Sequence, residues 1–106
     1  MELTQERVQE LKARYGELYE LTADLDEGPL VVIVRKPGRA QFARFAKDMT
    51  GDAYKASTNL FFDCLVQPEP EVLRARFEAS PGLVLPFSAQ LMKLAKLDVE
   101  VLEKKL

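Results

Sequence analysis

The chain has no histidine and one cysteine among its 106 residues. The first absence removes every mechanism in which an imidazole carries a proton. The second leaves no internal disulfide, and the two together leave carboxylates as the only plentiful metal ligands, so structural zinc is excluded. The longest apolar run, Leu30 to Val34, is far below the roughly 18 residues of a membrane-spanning helix. Acids are scattered through the first 25 residues, which fits neither an anchor nor a secretory signal. Each glycine stands alone and none leads into Lys followed by Ser or Thr, so there is no phosphate-binding loop. Ser57, Ser80 and Ser88 sit in neither a nucleophile elbow nor a Ser-x-x-Lys motif with its companion sequences.

What is present suits one small α+β domain. A hydrophobic fraction of 47% is ample for a core, and 106 residues leave no room for two catalytic domains. The net charge of -2 hides a segregated pattern. Residues 1 to 27 are strongly acidic, whereas Arg35, Lys36, Arg39, Arg44 and Lys47 form a stretch, 35 to 47, without a single acid. A pI near 5.2 argues against general nucleic-acid binding, which usually makes the whole domain basic.

Periodicity places the elements. Val8, Leu11, Tyr15 and Leu18 follow helical spacing after Thr4, a candidate N-cap, so a helix is expected over 4–15 with Gly16 ending it. The period then shifts toward two, and the β-branched run 30 to 34 predicts a hairpin over 17–35, strand 17–23 against strand 30–35 with a turn at 24–29. An isolated hairpin is marginal in water, so it must lie on helices or join further strands. Helices are expected over 39–49, 53–66, 70–79 and 83–97, with a tail over 98–106. The expected architecture is therefore a mostly helical single domain, 1–106, with five helices and one β-hairpin.

Each cluster with chemical potential also has an ordinary reading. Asp24, Asp26 and Glu27 fall in a turn and Glu69 with Glu71 opens a helix, positions where carboxylates are solvated rather than held in the unequal environments that acid–base catalysis needs. Turn acids at 24–27 also lack the alternating oxygen ligands of a calcium loop. Cys64 lies on an apolar helical stripe, where a free thiol packs as a small hydrophobe. No enzymatic activity, cofactor or metal is expected.

The basic segment is the stronger lead. Lys36 and Arg39 stand near a helix N-terminus, where cations oppose the macrodipole, so they are not there for local stability. Their compensating acids are either internal, with Asp24, Asp26 and Glu27 across the hairpin as candidates, or belong to a partner: an acidic protein surface or, less fittingly, phosphate. Near the C-terminus Met92, Ala95, Val99, Leu102 and Leu106 alternate steps of three and four, the pattern of a helix laid on the core or offered to a partner. Partner-binding residues are accordingly expected at Arg35, Lys36, Arg39, Arg44, Lys47, Val99, Leu102 and Leu106.

Read in order, these segments resemble the small tail assembly chaperones of tailed phages and prophages. The likeness rests on Val31 to Lys36 with Pro37, then Arg39 with Phe42, Arg44 and Phe45. It continues through Ala53 to Pro68 with Cys64, and Pro81 to Pro86, spanning about residues 30 to 95. It implies a non-enzymatic protein in the bacterial host cytoplasm that coats a long helical tape-measure protein until the tail tube polymerises. The implied partners are phage tail proteins, the tape-measure client first, with the tube protein and further copies of the chain as additional candidates, and with no membrane and no nucleic acid. The alternative is a small nucleic-acid-binding or regulatory protein using segment 35–47.

Overall fold

A computed structural model describes residues 4–106, so the first three residues of the expected 1–106 domain lie outside the described residues. Five helices and a three-stranded antiparallel sheet form one α+β domain. Helix α1, Gln5–Tyr15, begins where the Thr4 hydroxyl accepts the Arg7 N–H at 3.1 Å and ends at Gly16, whose φ of 82° is costly for other residues.

The hairpin is longer and tighter than the sequence pattern predicts. Strand β1, Leu18–Leu25, pairs along its whole length with β2, Gly28–Arg35, and only Asp26 and Glu27 connect them. Alternation continues through Leu21, Ala23 and Leu25, which keeps the pleat going to the turn, and Gly28 restarts the chain at φ 117°. Helices α2, Arg39–Met49, and α4, Pro70–Ala79, have the expected limits. The expected helix 53–66 stops two residues early: α3 is Ala53–Cys64, and Leu65–Gln67 is a third strand, β3, paired with Ile33 and Val34. Proline at 68 biases Gln67 toward extended backbone, and the free edge of β2 satisfies the extended segment. The hairpin thus gains its companion strand from its own chain.

A 3-10 turn at Pro81–Leu83 leads into α5, Val84–Leu94, which tolerates Pro86 because it falls in the first turn. The expected helix 83–97 closes three residues early. Val32, Val34, Phe45, Leu60, Phe61, Cys64, Leu73, Phe77, Phe87 and Leu91 are buried in one cluster between the sheet and the helices. Phe61 is central, its ring 5.2 to 5.5 Å from those of Phe62, Phe77 and Phe87. The buried Ser88 hydroxyl donates to the Ser57 carbonyl at 2.7 Å, so that serine fastens α5 to α3.

Candidate protein-binding site

The five bases of the acid-free stretch divide into two groups. Arg44 in α2 points Nη1 at both carboxylate oxygens of Asp63, 3.0 and 3.1 Å away near the end of α3, and its Nε lies 3.5 Å from Asp48. Asp48 in turn accepts from Asn59 at 3.1 Å. Arg35, at the end of β2, donates to the Asp63 backbone carbonyl at 3.1 Å. These two arginines are therefore partly occupied in joining α2, α3 and β2.

The acids that engage them are not those of the hairpin turn. Asp24, Asp26 and Glu27 lie at the opposite end of β2 from Arg35, about 23 Å along a strand of this length. Glu27 instead approaches Arg76 of α4 at 4.0 Å. The remaining bases, Lys36, Arg39 and Lys47, are exposed and make no ion pair among the described residues. Lys36 and Arg39 share with Lys96 the lining of a recess of about 430 Å³ between the start of α2 and the end of α5.

That recess adjoins an apolar groove, and Phe42 lines both. The groove, about 570 Å³, runs between α2, the start of α3 and α5, over Phe45, Met49, Tyr54, Leu85, Met92 and Leu97. Met49, Tyr54, Leu85 and Leu97 are all exposed. Spacing alone reads Phe42, Phe45, Ala46 and Met49 as one buried stripe, but only Phe45 is fully buried. The stripe is wider than the surface α3 and α5 cover, and its outer half forms the groove wall. Leu85 and Met92, seven residues apart on α5, the first exposed and the second at the margin of the core, were the signal that the apolar face extends beyond the buried set.

The C-terminal residues do not continue α5. The Leu97 N–H donates to the Met92 carbonyl and the Lys96 N–H to the Lys93 carbonyl, each at 3.0 Å. This is the paired bonding of a Schellman motif, with Lys96 at φ 67° where glycine is usual. Met92 and Leu97, the positions whose apolar contact accompanies that motif, both line the groove. Beyond it the chain has no helix or strand, so Val99, Leu102 and Leu106 share no helical stripe. They are exposed, Leu102 at 84% and Leu106 completely. The period of three and four is overridden because Lys96 turns the chain out of the helix, a stop that no glycine announced.

Cys64 is fully buried, and desolvation pushes its thiol up to about 11 despite the opposing Arg35 charge. It lies against the core, away from the groove lining. Tyr19 is raised from 10.0, first by donating its hydroxyl to Glu17 at 2.8 Å. Among the described residues, no three His, Cys, Asp or Glu side chains gather to hold a metal, and no helix is long and apolar enough to cross a membrane.

With the fold and groove defined, the chain's class follows from comparison: it belongs to the family described as Domain of unknown function (DUF6848), whose model matches residues 11–104. The matched region contains the groove, the basic segment and most of the exposed tail. Among solved structures the chain is similar to that of uncharacterised protein rbstp2171 from Bacillus stearothermophilus. The two are 29% identical with a TM-score of 0.78, over 92% of this chain and 99% of that one. No curated protein matches.

Proposed function

We propose that the protein is a non-enzymatic chaperone of phage or prophage tail assembly, acting in the host cytoplasm to shield a long helical tape-measure protein before the tube polymerises. The observation that carries the reading is the apolar groove between α2, α3 and α5, beside a recess whose Lys36 and Arg39 make no ion pair among the described residues. An amphipathic helix docks its apolar face in such a groove through residues spaced three and four apart. Met49 and Met92 give it adaptable walls, which suits a client whose contact sequence changes along its length. Lys36 and Arg39, in the recess that adjoins the groove, would meet acids on the client's polar face, whereas Lys47 is exposed but lines neither the recess nor the groove. Arg35 and Arg44 contribute to the architecture behind that surface rather than to the contact itself.

Co-expression with a phage tape-measure protein tests the reading: the chaperone should hold it in the soluble fraction, and Met49→Asp should release it. Binding that instead falls steeply with salt on phosphate-bearing nucleic acid would favour a nucleic-acid role for segment 35–47. Genes for a tube protein and a very long helical protein on either side would support the chaperone, whereas metabolic neighbours would count against it.

A further inference from the structure

The apolar groove and the exposed tail are complementary, and the tail starts at the groove's own edge. Leu97 lines the groove, and the left-handed Lys96 turns the chain away from α5. Residues 98 to 106 follow with Val99, Val101, Leu102 and Leu106 all exposed, at 56%, 87%, 84% and 108%. The radius of gyration is 15.4 Å, against about 13 Å for a compact domain of this size, and the long axis is 55 Å. Four exposed apolar side chains within residues 99–106 make a strip suited to burial against another surface. Nine extended residues reach about 30 Å, enough to enter a neighbouring molecule.

Charge selects the surface. Asp98, Glu100 and Glu103 are interspersed with the tail's apolar residues ahead of Lys104 and Lys105 at its end, so its acids lie on the stretch that follows the hinge, whereas Lys36, Arg39 and Lys96 line the recess joined to the groove through Phe42. We infer that residues 98–106 of one copy lie in the α2–α3–α5 groove of a second copy and receive the second copy's tail in return, with Lys96 and Leu97 as the hinge. Val101 and Leu102 supply the apolar anchors, Met49 and Met92 their seats, and the tail acids meet the basic rim. With the two copies related by a two-fold axis the exchange is mutual and closes a dimer, leaving no free patch to extend a chain of copies. It stands independently of the client; where a client helix uses the same groove, the tail and the client compete.

The test is light scattering on the full chain with no client present, together with a contact measurement. The wild type should be dimeric, and Leu102→Asp or Met49→Asp should raise the dissociation constant about tenfold or more, as removal of an anchor does. Both side chains are exposed, so each variant should keep the wild-type circular dichroism. A nitroxide on Lys105→Cys should broaden the Met49 and Met92 methyl resonances of an unlabelled-spin copy mixed with it. A monomeric wild type, a dimer indifferent to both substitutions, or methyl groups unaffected by the nitroxide would each overturn the exchange.

Discussion

Arg44 holds Asp63 through a single guanidinium nitrogen, 3.0 and 3.1 Å from the two carboxylate oxygens, and so ties the second helix to the end of the third. That link separates cations engaged in internal contacts from those left exposed, in a stretch whose sequence treats all five alike. Arg44→Ala should lower stability by about 0.2 to 1 kcal/mol, the value of a half-exposed ion pair. Lys36→Ala and Arg39→Ala should leave the melting temperature unchanged and weaken client binding. Equal melting losses for all three variants in thermal unfolding would remove this division.

Phe61 is fully buried amid three other rings. Phe61→Ala should cost about 3 to 5 kcal/mol. Urea unfolding followed by circular dichroism measures it, and a midpoint near wild type would show that the ring is not the centre of the core.

Lys96 occupies a left-handed conformation that costs a non-glycine residue roughly 1 to 2 kcal/mol. Lys96→Gly should therefore be at least as stable as wild type. Lys96→Val, β-branched at positive φ, should lose about 1 to 2 kcal/mol. Thermal unfolding in which valine matched glycine would mean that the chain does not leave α5 through this turn.

Cys64 gives a pH dependence of definite sign. Its thiol rises from 9.0 to about 11 on burial, chiefly by desolvation, so the unfolded chain releases the proton first. The corresponding stability is complete below pH 9 and declines as pH rises through 9 toward 11. Cys64→Ala should flatten that decline at the cost of a small cavity. The folded thiol should also resist alkylation at pH 8 until urea unfolds the chain. Rapid modification of the native protein would place the cysteine at the surface.

Much of the fold is legible in the sequence because its punctuation is local. Thr4 and Gly16 bound the first helix, Pro37 and Gly51 bracket the second, and Pro70 opens the fourth. What escapes local reading is decided by tertiary pairing. Leu65 to Gln67 continue an apolar helical stripe, yet they become a strand because the edge of β2 lies beside them. Lys96 ends α5 without a glycine, and the heptad spacing of Val99, Leu102 and Leu106 ends with it. The groove was hidden for a related reason: helical spacing identifies an apolar face but not how far neighbouring helices cover it. The bases were visible, whereas their division depended on Asp63, an acid 19 residues beyond Arg44.

Docking of a helical client in the groove is measured most directly by calorimetric titration of a purified tape-measure fragment into wild type and Met49→Asp. Binding by the wild type, with a negative heat-capacity change and only modest salt dependence, lost in the variant, is the predicted result. Equal binding by both proteins, or none by either, would contradict it.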